Sequence, residues 1–481
     1  MIWTCEYGVV ETGKLMFFFD GVDMKRCGYL FVWMVLQVGV VLSTAMGADF
    51  PRLIDCQGQQ QIQLTEHTAA FPVGLYVMMR PEAVLKMPNR ADAPVIRIAS
   101  RPFVQAIALG ISMADMHPNE GDPISFEVLE KCLRRLDQAC QQAGRTRPLP
   151  VFYKPYLEHM PLWMMNPDVP ESDKPQLVTN RLGMQVIRMP ARRSPTGKAL
   201  PARDQPISTC PVYQQYIRHM VAKLGAWLTE HDPDALRIPL IHFVGPAMNS
   251  NQMRTPLPGV FPNQGDDALG VGWTKQKHLD AWCHMTDTMD SYPAFAKRCW
   301  VFNMTNLAGS PKYPKAMKLS TAEQSRVMQR LEKSHPDGAS AIIVKTESLC
   351  VNFDRRQSTN PYAQAPKADF RRQMIEDPDG KPYDLLARRQ FGHAWENWSA
   401  LHPNRDDRAP SLYPLNQLVH NALYLDSPTQ PQGTLWVEIW TNEAVVPDVK
   451  RFDNSTEPLS ESLLNFDIAI RSAIEQLISK K

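Results

Sequence analysis

From about residue 98 onward, short β-branched or aromatic runs take turns with amphipathic helical stretches, and this alternation constrains the fold more than any other feature. The runs fall at 104–113, 150–156, 184–189, 238–244, 298–304, 340–346, 389–394 and 435–440. Helical periodicity occupies 125–143, 213–229, 275–292, 321–334 and 460–478; in the first of these Phe126, Leu129, Leu133 and Leu136 share one face. Eight strands with helices between them predict an α/β fold, a (β/α)8 TIM barrel. A doubly wound sheet would need a glycine-rich first turn, and neither GxGxxG nor GxxxxGKS/T occurs. The long segments 157–180, 190–210, 245–272 and 348–388 each follow a strand, which predicts long loops at the C-terminal face. Residues 49–97 are expected to form an N-terminal capping segment, with the barrel itself in 98–481.

The N-terminus carries an address. After Met24, the basic pair Lys25 and Arg26 precedes an apolar run over 28–46 and the small residues Ala45, Gly47 and Ala48. Basic, apolar and small-residue regions in that order make a signal peptide, so 1–48 reads as an upstream extension plus leader. The expectation is a secreted or periplasmic protein without membrane contact after cleavage; uncleaved, the same run is nearly long enough to anchor it. With 52 basic against 50 acidic residues and no long basic run, the chain lacks the footprint of a nucleic-acid binder. Nine cysteines are scattered without a CxxC, so they read as buried small hydrophobes, not a zinc ribbon. No HxH or HExxH spacing occurs among the 12 histidines, so neither a metal nor another cofactor is expected.

Period-two alternation identifies the side chains aimed at a barrel axis. In 435–440, Val437 and Ile439 suit the helix layer, which turns Glu438 and Trp440 inward, with Asn442 at the rim. The same rule turns His242 inward between Ile241 and Phe243, and puts Lys345 and Glu347 on one inward side. Lys154 in the second run and Arg188 in the third are placed with them. Mixed charges beside indoles are costly to desolvate, so function is one reason to gather them. A structural ion network is the other: Glu438 can pair with Lys345 or Arg188, and His242 can be a hydrogen-bonded core histidine.

A resemblance emerges from several short motifs. Asp115-Met116-His117-Pro118-Asn119-Glu120-Gly121 ahead of a helix, Met160-Pro161-Leu162-Trp163 after the second run, and 245–253 after the fourth resemble the clan A glycoside hydrolase barrels. The resemblance is notably to the beta-galactosidase-like branch. The resemblance implies an acid/base carboxylate after the fourth strand, where this chain has Asn249 and Gln252. An amide cannot donate a proton as a carboxylic acid does. It also implies a nucleophile at the end of strand seven, where Glu396 is the best match; a loop carboxylate beside Arg388, Arg389 or Arg405 is the other reading of that residue.

Three functions follow. The first is a hydrolase of oligo- or polysaccharides using Glu396 and Glu438 as catalytic carboxylates, or Glu347 in place of Glu438. Gln252, Asn249, His242, Trp440, Trp163, Glu347, Lys345 and Arg188 would contact the carbohydrate, and Lys154, Arg188 and Lys345 would suit an anionic one. The second is an inactive glycan-binding barrel with Trp163, Trp273, Trp398 and Trp440 as stacking platforms. The third is a Schiff-base lyase using Lys345.

Overall fold

In a computed structural model of the chain, the described residues are 51–56, 59–88, 90–157, 159–193, 199–248, 253, 267, 269–304, 319–349, 391–397, 423, 433–445 and 458–479. Residues 1–48, expected to be an upstream extension plus leader, lie outside them, as do Asn249 and Gln252. A three-stranded antiparallel sheet opens the described chain: β1 (Arg52–Cys56), β2 (Gln59–Gln63) and β3 (Phe71–Pro72). Eight parallel strands then close into a barrel: β4 (Gly74–Met79), β5 (Val104–Ser112), β6 (Val151–Tyr156), β12 (Leu240–His242), β13 (Cys299–Met304), β14 (Ile342–Leu349), β15 (Phe391–Asn397) and β16 (Gly433–Trp440). Every neighbour in that ring is paired in parallel, β16 to β4 and β6 to β12 included. The chain is a (β/α)8 barrel.

Two strand assignments change. The run at 184–189 is not a barrel stave. It forms β8 (Gln185–Met189), the middle of an antiparallel sheet with β7 (Gln176–Thr179) and β11 (Arg203–Pro206); β9 (Arg192–Arg193) and β10 (Ala199–Leu200) make a small hairpin within that excursion. Its place in the ring belongs to β4, inside the segment expected to be a cap. The physical reason is exposure. In β7 alternate residues are exposed, as a sheet with one wet face requires, whereas all six residues of β4 are buried, as in a stave covered on both sides.

Helices fall near their expected positions: Glu127–Gln142, Pro211–His231, Lys275–Asp290, Thr321–Ser334 and Leu459–Ser479. The start of Thr321–Ser334 is set by a capping box, in which the Ser320 hydroxyl accepts from the Glu323 N–H and the Glu323 carboxylate accepts from Ser320. Cys132, Cys140, Cys210 and Cys299 are buried free thiols and Cys283 is half-buried. Burial pushes the thiols of Cys132 and Cys299 up to about 12, which keeps them protonated and inert. None of the described helices is long and apolar enough to cross a membrane.

One side chain latches the last helix onto the first stave. Asp467 accepts the backbone N–H of Leu75 (2.9 Å), the amide of Gln105 (2.8 Å) and the guanidinium Nε of Arg471 (2.9 Å). Gly74 lies beneath it at φ +132°, and a Cβ there would fall 2.0 Å from the Asp467 carboxylate, so both the backbone angle and the close approach demand glycine. Burial pushes the Asp467 carboxyl up to about 6, against the pull of Arg471, Leu75 and Gln105. Asp467→Ala is expected to cost about 3 kcal/mol in equilibrium denaturation, because buried donors lose their acceptor. The raised value means the folded chain takes up the proton before the unfolded one. Relative to Asp467→Asn, the wild type is therefore expected to gain stability as pH falls through about 6 toward 3.8, as melting at a series of pH values will show.

Candidate functional site

The barrel interior is filled in layers. At the N-terminal end the Trp436 indole stacks on Tyr76 (centroids 5.1 Å apart, 9° between planes) and meets Phe152 (5.5 Å) and Phe71 (6.1 Å) edge-on. The Tyr76 hydroxyl donates to the Pro72 carbonyl at 2.6 Å. Burial, then the neighbouring Cys299 thiol and Glu438 carboxylate, raise this phenol well above its ordinary value, so it stays a donor. The aromatic layer plugs the bottom of the barrel.

Charges lie directly above it. Lys154 Nζ donates to Glu438 Oε2 at 2.8 Å, and Lys345 Nζ is 3.3 Å from the same oxygen. Trp436 Nε1 approaches the other carboxylate oxygen at 3.4 Å. All three charged side chains are essentially without solvent exposure, at 1% or less. The inward direction read from strand alternation therefore holds for Glu438, Lys345 and Lys154. His242 is enclosed in the same interior, its ring 6.4 Å from Phe152 and its Nδ1–H donating to the Phe243 carbonyl (3.0 Å). Asn303, buried on β13, is paired in register with Lys345 at this level.

The backbone register adds two further acids. Glu347 pairs with Glu396 across β14 and β15, and Glu396 pairs with Glu438 across β15 and β16. Three glutamates thus stand at one level on three consecutive staves, toward their C-terminal ends. The side chains of Glu347 and Glu396 lie outside the described residues. Trp440 is half-buried one step above Glu438, on the stave next to β4.

One expected member lies elsewhere. Arg188 is on β8 in the antiparallel excursion, where Asp204 accepts from its Nε at 2.9 Å and the Asn166 carbonyl accepts from Nη1 at 2.8 Å. Its placement with the inward charges is corrected for the same reason as its strand. Trp163, half-buried, sits in the turn Leu162–Met164 after β6; its indole N–H donates to the His117 carbonyl (2.9 Å) and its ring meets His117 at 4.7 Å. Sequence reading missed the contact of Arg80 with Tyr156 at the mouth, because β4, which Arg80 directly follows, was read as part of a cap. Among the described residues no three His, Cys, Asp or Glu side chains could hold a metal ion.

No family model matches the sequence, and no curated protein matches it. Among solved structures, the catalytic domain of beta-amylase from Paenibacillus polymyxa aligns with 83% of this chain and 98% of its own, at 10% identity and a TM-score of 0.42. The cold-adapted beta-galactosidase from Rahnella sp. R3 aligns with 84% of this chain and 56% of its own, at 11% identity and 0.45. Morphinone reductase aligns with 79% and 85%, at 13% identity and 0.38. Glycoside hydrolases recur in this set, yet an oxidoreductase stands beside them. At such scores the likeness argues nothing about chemistry, and the barrel rests on its own strand pairing.

The buried triad has a measurable consequence. Glu438→Gln leaves two enclosed ammonium groups without the carboxylate they share, and is expected to destabilise the chain by about 3–5 kcal/mol in chemical denaturation. The triple exchange Lys154→Met, Lys345→Met and Glu438→Leu removes the charges together and is expected to recover most of that loss.

Proposed function

We propose that this protein is a carbohydrate-active barrel that hydrolyses glycosidic bonds in an oligo- or polysaccharide, exported by its N-terminal leader. The observation that carries the reading is the row of register-paired glutamates, Glu347, Glu396 and Glu438, toward the C-terminal ends of β14, β15 and β16. Neighbouring staves lie about 4.8 Å apart, so residues at one level span the separations over which carboxylate pairs act on a glycosidic bond. That end of the barrel is where sites of this fold are built.

The roles divide by surroundings. Glu438 is enclosed and its Oε2 is engaged by two lysines, which supports a positioning role for it and for Lys154 and Lys345. Glu396, at the end of stave seven, is the nucleophile or base, and Glu347 the proton donor that the amide of Gln252 cannot replace. Trp440 at the rim supplies an aromatic face for a sugar. The same enclosure of Lys345 beside Glu438 weighs against the Schiff-base reading, since a carbonyl substrate would have to displace a buried ion pair.

The burial of Glu438 also favours a second reading, a barrel that binds glycans without cleaving them. Reducing-sugar release from a panel of polysaccharides separates the two. Hydrolysis that falls roughly 10²–10⁴-fold in Glu396→Gln is the expected result. Binding without turnover, with hydrolysis appearing only in Gln252→Glu, would establish the second reading instead. Full activity in both Glu396→Gln and Glu347→Gln would remove the carboxylate assignment.

A further inference from the structure

Arg80 follows β4 directly, at the barrel mouth, on the stave beside the one that carries Glu438 and Trp440. Its guanidinium carbon lies 3.7 Å from the centroid of the Tyr156 ring, at the end of β6. The stave β5 separates these two residues. They meet because Gly110 of β5 has no side chain: a Cβ there would fall 2.1 Å from the Tyr156 ring. The glycine lets the tyrosine lie back across the middle stave and form a bed for the guanidinium.

The feature that matters is what Arg80 leaves unspent. Several enclosed arginines among the described residues use their N–H groups on backbone or carboxylate. Arg145 donates to the carbonyls of Ala99, Arg101 and Val104, Arg188 to Asp204, and Arg298 to Asp232. Arg80 is half-buried, yet among the described residues no carboxylate pairs with it and no acceptor takes its side-chain N–H groups. One face of its plane rests on an aromatic ring while the donor edge stays available, which is the arrangement that grips a planar or tetrahedral oxyanion in two-pronged fashion.

Two other nitrogen groups border the same ring, Lys154, which is paired with Glu438, and His159. Lys154 Nζ lies 5.9 Å from the same tyrosine ring. His159 lies 5.9 Å from it on another side; burial and then the charges of Arg80 and Arg203 pull its imidazole down to about 4. Asp115, one acid of this neighbourhood, has one carboxylate oxygen engaged by the N–H and hydroxyl of Ser112.

We propose that Arg80, bedded on Tyr156, is the binding fork for an anionic group, a carboxylate or a sulfate, on the oligosaccharide taken by this barrel. The inference rests on the carbohydrate reading above and names the substrate class: acidic rather than neutral glycans. Gly110 and Tyr156 act as positioning residues, holding the fork where the sugar enters.

Calorimetric titration of the full chain tests this with matched pairs: oligogalacturonate and its methyl ester, and a sulfated galactan oligosaccharide and its desulfated form. One acidic member is expected to bind at least about tenfold more tightly than its neutral partner, and which pair shows the difference identifies carboxylate or sulfate. Arg80→Met is expected to lose that preference, weakening the acidic ligand about 10- to 100-fold while leaving the neutral one unchanged. Arg80→Lys keeps the charge and the fold but not the fork, and is expected to lose most of the same preference. Gly110→Ala, which evicts Tyr156, should act like Arg80→Met; thermal melting confirms that each variant is folded. Equal affinity for acidic and neutral members overturns the acidic-substrate inference while leaving the carbohydrate reading in place. An acid preference that survives in both Arg80 variants overturns the assignment to Arg80. Binding to no member of either pair overturns both readings.

Discussion

A single carboxylate ties the barrel together from the inside. Glu438 belongs to β16, and the two ammonium groups that meet it come from β6 and β14, staves well separated around the ring. Charges of this kind cannot be left alone in an apolar interior, because each would lose several kcal/mol of hydration without return. They can be enclosed only if all three staves present the right faces at the same height. The tie therefore discriminates among registers more than it adds net stability. A one-residue slip of β16 would turn Glu438 toward the helix layer and away from both lysines.

The levels above and below follow from that crosspiece. Beneath it, Trp436, Tyr76 and Phe152 fill the barrel with aromatic rings and exclude water, which makes the ion triad a dry one. Above it the staves splay into the mouth, where Trp440, Tyr156 and Arg80 stand half-buried. The register-paired glutamates occupy β14 to β16 at the level of the crosspiece, and a cation on a tyrosine bed stands at the mouth after the next stave. Negative and positive charges are thus separated around the barrel, an arrangement suited to holding a charged sugar beside the groups proposed to act on it.

Legibility in the sequence varied with the physics of each segment. The helix Thr321–Ser334 was legible to the residue because its first turn carries a capping box, a local signal that needs no tertiary context. The inward direction of Glu438 and Lys345 was legible because charged residues interrupt otherwise apolar staves at period two. The stave Gly74–Met79 was not, since six consecutive buried residues carry no alternation and the flanking prolines suggest a loop. Its omission hid Arg80. The run at 184–189 misled for the opposite reason, because strand-forming residues say nothing about whether the partner strands are parallel or antiparallel.

Taken alone, the order of apolar and polar residues determined the class of fold, the positions of the helices and, in the staves interrupted by Glu438 and Lys345, the side that meets the axis, because these depend on periodicities of two and 3.6 residues. Which eight segments form the ring, and which of the inward charges touch, was decided only in three dimensions. Lys154, Lys345 and Glu438 are hundreds of residues apart at the extremes, and their meeting at 2.8–3.3 Å depends on closure of the sheet and not on any local pattern. The same holds for Arg80 and Tyr156, whose contact exists because a glycine on the stave between them removes the atoms that would keep them apart.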